Sequence, residues 1–312
     1  MDPNEYILPL ATEGSTLGYF LSMCQHQPSL LSCSTQGNTV FQRSSPVSYP
    51  IFVVGCPRSG TSVVGSCLSK HSCIGGGYES LCLLELSRLY YGLHQGVNRR
   101  KFSFLDPLIS GETLLSGIGD LMDCIIVSVL NRQRKTRYVD HTPWYIGLMP
   151  FISTLYPHST FVHVIRDGRD VACSLLDAYQ QGFAWAGATL TERARLWRSL
   201  VALGRDCSKN VGNGLYIELS YESLCLDPRQ TLGSLLSQLG LHWEEAVLSP
   251  LAEPIASPSR RNATLARVDE DGTVVLTPYE TGNRWPAHWS RDERMEFTDA
   301  AGDLLSTLRY AT

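Results

Sequence analysis

Residues 51–62 read IFVVGCPRSGTS and join a strand to a helix through a glycine-rich turn. The β-branched and aromatic run at 51–54 is typical of a strand buried on both faces. Gly55 and Gly60 have the spacing of a P-loop, in which successive backbone N–H groups face an anion and the following helix adds its positive N-terminus. Apolar residues recur at helical spacing over residues 63–68. The pattern predicts a strand, an anion-binding turn and a helix, and its alternative is a tight turn without a ligand.

The turn lacks the lysine of nucleotide triphosphatases. Those enzymes place Lys after the second glycine, where it reaches the terminal phosphates, but here Thr61 occupies that position. A cation stands inside the turn instead, at Arg58, and further hydroxyls are supplied by Ser59 and Ser62. The missing lysine argues against a kinase that uses ATP.

Strands and helices alternate along the rest of the chain. Residues 161–165 and 215–219 are strand-like runs, and an arginine-rich turn at 166–169 follows the first of them. A long helix at 112–134 and a short strand at 138–140 precede these units. Such alternation predicts an α/β fold with a P-loop-like central parallel sheet flanked by helices on both faces. Ligands of such sheets bind beyond the carboxyl ends of the strands, where both arginine-containing turns lie.

The domain organisation follows from composition. Residues 1–48 carry few charges and many Ser and Gln, which indicates an N-terminal extension that can cover the substrate site. Residues 49–312 form one predicted domain, in which Asp227 and Ser290 have the pattern of helix N-caps.

Charge and composition exclude several classes of protein. The 26 basic and 30 acidic residues give a net charge of −4, so neither nucleic acid nor an anionic membrane is a predicted partner. The longest apolar stretch, 114–130, contains two aspartates and is too short and too charged to span a bilayer. The N-terminus has no basic segment followed by an apolar run, so a cytoplasmic location is predicted. The ten cysteines are dispersed without C-x-x-C spacing, which favours structural thiols over zinc or disulfides.

Four segments together resemble a family, the sulfotransferases that use 3′-phosphoadenosine 5′-phosphosulfate. Residues 57–62 resemble the family's 5′-phosphosulfate loop, and residues 161–176 resemble its 3′-phosphate motif. Residues 221–228 are similar to its Tyr-Glu-x-Leu…Asp-Pro element, and residues 284–285 to its basic-residue-plus-Trp pair. The segments occur in family order, and the Pro-Arg-Ser-Gly-Thr loop is closest to the branch that contains tyrosylprotein sulfotransferases and many bacterial sulfotransferases.

The resemblance implies a donor nucleotide with an anion at each end. The loop would hold the 5′-phosphosulfate, and a guanidinium and a hydroxyl on the second motif would hold the 3′-phosphate. The product would be adenosine 3′,5′-bisphosphate. A transferred sulfuryl group carries less charge than a phosphoryl group, so no metal is predicted. The cofactor-binding residues implied are Pro57, Arg58, Ser59, Gly60, Thr61, Ser62, Arg166, Ser174, Tyr221, Arg284 and Trp285.

The resemblance also implies a general base. Glu79 lies twenty-one residues after Arg58, where the tyrosylprotein branch has its catalytic Glu, and it follows three glycines that free the backbone. Its alternative role is to pair with Arg58, and the nearest competing carboxylate is Glu85. His141 replaces a Lys of the common family pattern and serves either as an acid–base group or as a hydrogen-bonded strand-end histidine. Glu79, Arg58 and His141 are the predicted catalytic residues, with Asp140 as a substitute base.

The predicted reaction is in-line transfer of a sulfuryl group to a hydroxyl, with an amine as the second choice. The acceptor expected by exclusion is a small molecule such as a specialised metabolite, because neither a secretory signal nor a broad basic groove is evident. Two alternatives stay open: a P-loop nucleotide kinase-like enzyme, and a nucleotide-binding relative without catalysis.

Overall fold

A five-stranded parallel sheet forms the centre of the molecule. A computed structural model describes residues 43–95, 109–252, 267–268, 274–275, 285 and 289–310. The strand order is β2-β3-β1-β4-β5, and every pair within this sheet is parallel. The strands are β1 (Ile51–Gly55), β2 (Ile74–Tyr78), β3 (Arg137–Asp140), β4 (Thr160–Ile165) and β5 (Leu215–Ser220), and a separate short antiparallel pair consists of β6 (Arg267–Val268) and β7 (Val274–Val275). The predicted α/β class is confirmed.

Helices connect the strands and cover both faces of the sheet. They are α1 (Thr61–Ser69), α2 (Cys82–Tyr90), α3 (Gly111–Gln133), α4 (Met149–Leu155), α5 (Gly168–Gln180), α6 (Leu190–Cys207), α7 (Tyr221–Leu226), α8 (Pro228–Gln238), α9 (Ser249–Ala252) and α10 (Arg291–Thr307). The side chains of Asp227 and Ser290 cap α8 and α10, as their sequence patterns predict. Helices α2 to α6 and α10 cover one face of the sheet, and α1 and α7 to α9 cover the other.

The central strand β1 feeds both hydrophobic cores. Phe52 and Val54 enter one core, where the Phe52 and Phe161 rings stack at a centroid distance of 5.7 Å. Ile51 and Val53 enter the other core. All of β1 is buried because β3 and β4 flank it and side chains alternate between the faces. The loop that follows β1 is therefore anchored at its first residue by a buried strand that is paired on both sides.

Helix α3 is long and apolar enough to cross a membrane by length and composition, with a mean hydropathy of 1.7. One face of it packs into the first core through Leu115, Ile118, Met122, Ile126 and Leu130. The buried Asp123 on this helix accepts hydrogen bonds from Arg43 and Tyr156. Packing and a buried carboxylate on the same helix are typical of a core helix in a folded domain.

Strand β2 is an element that the sequence did not reveal. Its residues, Ile-Gly-Gly-Gly-Tyr, have low strand propensity, and the sequence suggested only that their glycines free the backbone before Glu79. Gly76 has φ 102°, and a Cβ there would lie 2.2 Å from the Val139 carbonyl oxygen, so only glycine allows this close pairing with β3. The pairing register shifts between Gly76 and Tyr78, and this irregularity ends the strand just before Glu79.

Parallel pairing places the carboxyl ends of the strands along one edge of the sheet. The turn at 56–60 follows β1, and Arg166 follows β4. Glu79 follows β2, and His141 follows β3. The two predicted anion sites and the predicted base are therefore brought to the same edge by topology.

Candidate active site

The turn at 56–60 has a backbone shape that depends on one glycine. Arg58 and Gly60 have φ values of 75° and 105°, and the amide of Ser59 donates to the Cys56 carbonyl at 3.1 Å. A Cβ on Gly60 would lie 2.4 Å from the ring of Tyr221. Glycine is thus required at this position both by the positive φ and by the ring. Tyr221, which starts α7, closes the loop from the side of β5.

The N-terminus of α1 offers an anion site. In the described part of the chain, no side chain caps this end of the helix and its first turn has no acidic residue. Thr61 and Ser59 are buried, and the Ser59 hydroxyl has no hydrogen-bond partner among the described residues. A buried hydroxyl at an uncapped helix N-terminus fits a phosphate or sulfate oxygen, because the anion would satisfy both.

The second predicted anion site lies against the first. Arg166 is 2% exposed, its guanidinium lies over the Tyr221 ring at 4.7 Å, and its Nη1 donates to the Arg58 carbonyl at 3.4 Å. The Arg58 Nε donates to the Ser174 hydroxyl at 3.0 Å. Four residues from the three predicted motifs thus meet: the Tyr221 ring holds Arg166, and the Ser174 hydroxyl accepts from Arg58.

The C-terminal pair is described only in part. Arg284 lies outside the described residues. The ring of Trp285 lies 4.1 Å from the guanidinium of Arg169, which forms an ion pair with Asp167 at 2.7 Å. Arg169 and Asp167 are both buried and pair within the turn, whereas Arg166 donates to the loop. Trp285 therefore supports the turn that carries Arg166.

Glu222 is a supporting residue that sequence reasoning left without a role. Its carboxylate accepts from the Asp167 amide at 2.8 Å, from the Ser220 hydroxyl at 3.0 Å and from the Tyr310 hydroxyl at 2.9 Å. These bonds join the ends of β4 and β5 to the residues after α10. Glu222 belongs to the Tyr-Glu-x-Leu segment, so the sequence motif already marked this residue. Its three hydrogen-bond partners explain why the position needs a carboxylate.

Glu79 lies beside the anion-binding loop. The hydroxyl of Ser62 donates to Glu79 Oε1 at 3.0 Å, and His141 Nδ1 lies 3.6 Å from the same oxygen. The Glu79 side chain is 45% exposed. His141 Nε2 donates to the Gly77 carbonyl at 3.0 Å, and a Cβ on Gly65 would lie 2.4 Å from the His141 ring. One side of the Glu79 carboxylate is thus open to solvent, and the other side contacts Ser62 and His141.

The charges of Glu79 and His141 stabilise each other. Burial alone would raise the pKa of Glu79, but His141, Ser62 and Arg58 together hold that pKa below its ordinary value. Burial would lower the pKa of His141, but Glu79 and Asp140 raise it above its ordinary value. Since Nε2 donates its proton to a carbonyl, the Nδ1 of a neutral His141 is an acceptor that faces Glu79. In the charged form that Glu79 favours, Nδ1 carries a proton toward the carboxylate, so His141 orients Glu79 but does not also take a proton from it.

Asp140 is a scaffold residue, although it is next to His141. Its fully buried carboxylate accepts from the Ser80 hydroxyl at 2.6 Å, the Tyr138 hydroxyl at 3.2 Å, and both the amide and the hydroxyl of Thr142 at 2.9 and 2.7 Å. Burial raises its pKa against these donors. The full burial and the four donors favour a structural role over that of a substitute base, which stays a prediction of the sequence.

The competing carboxylate Glu85 behaves as a surface residue. It lies on α2, pairs with Arg88 at 2.6 Å, and its side chain is 63% exposed. Glu79, by contrast, accepts from the Ser62 hydroxyl in the first turn of α1.

Comparison with known proteins now adds to this geometry. A model of the sulfotransferase family matches residues 50–245. The chain belongs to the sulfotransferase family. This span includes the loop, Glu79, His141, Arg166, Ser174 and Tyr221, so the resemblance seen in the sequence is confirmed at the level of the family.

Curated relatives in this family carry more specific names. The protein-tyrosine sulfotransferase of Drosophila melanogaster is 22% identical over 272 residues, covering 86% of this chain and 52% of that protein. Protein-tyrosine sulfotransferase 2 of Gallus gallus is 23% identical over 280 residues, covering 88% of this chain and 72% of that protein. The chain thus spans about half the length of the Drosophila relative.

Solved sulfotransferase structures have the same fold. The sulfotransferase domain of the Synechococcus PCC 7002 olefin synthase matches with a TM-score of 0.52 at 17% identity, covering 84% of this chain and 96% of that domain. The sulfotransferase domain from the curacin biosynthetic pathway also has a TM-score of 0.52 at 17% identity, covering 86% and 99%. These matches support the P-loop-like sheet as the fold of this sulfotransferase-family chain.

The Asp140 network predicts a stability effect. Asp140→Asn replaces an acceptor with an NH₂ group and leaves buried hydroxyl donors without a partner, which should lower the free energy of unfolding by about 2 kcal/mol. The urea midpoint of the full chain measures this change. Asp206→Asn is the matched control, because its exposed carboxylate pairs with the exposed Lys209 at the end of α6, and it should change stability by less than about 0.5 kcal/mol. Equal midpoints for the two variants would contradict the scaffold role.

Proposed function

We propose that the protein transfers a sulfuryl group from 3′-phosphoadenosine 5′-phosphosulfate to an acceptor hydroxyl. The observation that carries the proposal is the meeting of two anion-binding arginines, Arg58 and Arg166, beside a partly exposed Glu79 whose carboxylate accepts from the loop hydroxyl of Ser62. A kinase-like alternative lacks support, because no lysine follows Gly60.

The described residues fit the two ends of this donor. The uncapped start of α1, the buried Ser59 hydroxyl and Arg58 would hold the 5′-phosphosulfate. Arg166 and Ser174 would hold the 3′-phosphate, since a guanidinium fork and a hydroxyl suit one phosphate group. When bound, the donor supplies the sulfuryl group and adenosine 3′,5′-bisphosphate as the leaving product. We propose that this reaction needs no metal.

Glu79 is the proposed general base. Its lowered pKa keeps it ionised at neutral pH, and its exposed side can reach a hydroxyl. Ser62 and His141 fix the orientation of the carboxylate, so the acceptor proton is taken at a defined position. The acceptor proton passes to the Glu79 carboxylate, while the charged His141 keeps Nδ1 beside that carboxylate and Nε2 bonded to the Gly77 carbonyl. His141 is thus a positioning residue that also stores charge.

The proposed acceptor is the phenol of a tyrosine in a polypeptide. Curated relatives are named protein-tyrosine sulfotransferases, which favours a phenolic hydroxyl over the small molecule expected from the sequence. The surroundings of Glu79 agree with a large acceptor, because the neighbouring side chains of Tyr78 and Leu81 are 57% and 42% exposed. An extended chain can approach such an open carboxylate without entering a closed cavity.

A small-molecule hydroxyl remains the second candidate. Both solved domains that share the fold belong to biosynthetic proteins, an olefin synthase and the curacin pathway, so their names favour acceptors other than proteins.

The cytoplasm is the proposed compartment, supported by eight free cysteines in the described ranges, four of them buried.

The two-ended donor site predicts a selective thermal shift. Adenosine 3′,5′-bisphosphate should raise Tm more than ADP does, because it places a phosphate in both anion sites. Arg166→Lys should remove most of that difference, since lysine loses the guanidinium fork. Arg132→Lys, an exposed change on α3, is the control and should keep the difference. Equal shifts for both nucleotides in the unmodified protein would contradict the donor site.

The base assignment predicts a loss of turnover without a loss of donor binding. Glu79→Gln should lower kcat by about 10²-fold or more, the usual contribution of a general base. Turnover of the unmodified protein should fall only when the pH drops through the lowered pKa of Glu79, and the variant should lack this acid limb. Glu85→Gln is the control and should behave like the unmodified protein. Full activity in Glu79→Gln, with donor binding unchanged, would show that another group is the base.

The acceptor class is tested by mass spectrometry. The enzyme and donor are incubated with a tyrosine peptide, its phenylalanine counterpart, and a panel of small phenols and alcohols. Addition of one sulfonate mass to the tyrosine peptide alone is the expected result. Modification of the small alcohols alone would reject the tyrosine acceptor and favour the second candidate.

A further inference from the structure

A cluster of two histidines and a glutamate lies away from the candidate active site. His71 follows α1 and precedes the first residue of β2, so it lies at the amino ends of the strands, opposite the edge that carries Glu79. His242 and Glu244 lie in the segment after α8. Neither the family match nor the proposed reaction assigns these residues a role.

The spacing of the nitrogen and oxygen atoms suits one cation. Glu244 Oε1 lies 3.5 Å from His71 Nε2 and 3.1 Å from His242 Nε2, and all three ligand atoms lie within 4.8 Å of one another. A tetrahedral zinc ion with bonds of about 2.0–2.1 Å separates its ligand atoms by roughly 3.3–3.4 Å. Two sides of the triangle are already close to this value. The third closes by rotation of the His242 side chain, which is 76% exposed.

The supporting contacts hold two of the three groups in place. The Ser72 amide donates to Glu244 Oε2 at 2.7 Å, and its hydroxyl also binds this carboxylate. His71 is fully buried, and its Nδ1 lies 3.2 Å from the sulfur of Cys73. Fixed carboxylates and a polar partner at the second imidazole nitrogen are the usual surroundings of a metal-binding histidine.

A cation would replace one hydrogen bond of His71. In the protein as described, Nε2 lies 3.1 Å from the His242 carbonyl, so it is the protonated nitrogen. Metal binding would displace this carbonyl contact from Nε2, while Nδ1 keeps its contacts with the Cys73 amide at 3.3 Å and the Cys73 sulfur at 3.2 Å.

We propose that His71 Nε2, His242 Nε2 and the Glu244 carboxylate bind a zinc-like divalent cation, with solvent at the fourth position. Imidazole nitrogens favour zinc and its neighbours over magnesium and calcium, which prefer oxygen ligands alone. The cation connects the turn after α1 to the segment after α8. Because α1 begins at the anion-binding loop, the site stabilises the helix from its far end. This role is independent of the proposed sulfuryl transfer.

The test uses the full chain after treatment with a chelator and dialysis. Zn²⁺ should bind in a one-to-one ratio by calorimetry and should raise Tm with increasing free Zn²⁺. Co²⁺ should produce the visible absorption of a tetrahedral complex. His242→Ala should weaken Zn²⁺ binding by more than about tenfold, because one of three protein ligands is lost. The exposed side chain makes this variant safe for folding, and its Tm without metal checks that point.

His158→Ala is the matched control, since His158 is also an exposed histidine but lies outside the cluster. It should bind Zn²⁺ like the unmodified protein. Equal Zn²⁺ affinity in His242→Ala and His158→Ala would place the ion on other cysteines or histidines and overturn the proposal. Absence of Zn²⁺ binding to the unmodified protein would also overturn it. Sulfotransferase turnover of His242→Ala is expected to be normal, so failure here leaves the proposed reaction untouched.

Discussion

The contact of the Tyr221 ring with Gly60 is the one on which the proposed donor site depends. A side chain at residue 60 would occupy the space of the ring, so the loop and the start of α7 can meet only at a glycine. The same ring lies under the guanidinium of Arg166, and Arg166 in turn donates to the Arg58 carbonyl. One aromatic side chain thus contacts both the loop after β1 and the arginine that follows β4. The Arg58 carbonyl and the Tyr221 ring thus hold the Arg166 guanidinium beside the loop that carries Arg58.

The acceptor side depends on a different constraint, the pairing of a glycine strand with β3. This pairing ends at Tyr78, so Glu79 leaves the sheet beside Ser62. Asp140 fixes the neighbouring end of β3 through four hydrogen bonds, which places His141 against Glu79. Donor and acceptor groups are therefore positioned by rigid strand ends. Such positioning suits an in-line displacement, whose rate depends on alignment of the reacting atoms.

Sequence reasoning succeeded where local patterns and local structure coincide. The run at 51–54, the helix caps at Asp227 and Ser290 and the order of the motifs all describe short segments, and each is found in the structure. Strand β2 was missed because its glycines have low strand propensity. Its pairing depends instead on the close approach of the Val139 carbonyl, which is distant in the sequence. The bond between Arg58 and Ser174 joins residues 116 positions apart, so spacing within a motif contains no trace of it. The cluster of His71 and Glu244 was missed for the same reason, because its residues are far apart in the sequence.

The close packing of the His141 ring against α1 limits which substitutions this protein can accept during evolution. The ring fits against α1 only because residue 65 is a glycine, as a Cβ would lie 2.4 Å from it. Substitution of Gly65 alone would expel the imidazole, and a longer side chain at 141 would meet the same helix surface. The effects of substitutions at the two positions therefore depend on each other. Replacement of the histidine by a larger group requires a change at residue 65 as well, so natural variants should show positions 65 and 141 changing together.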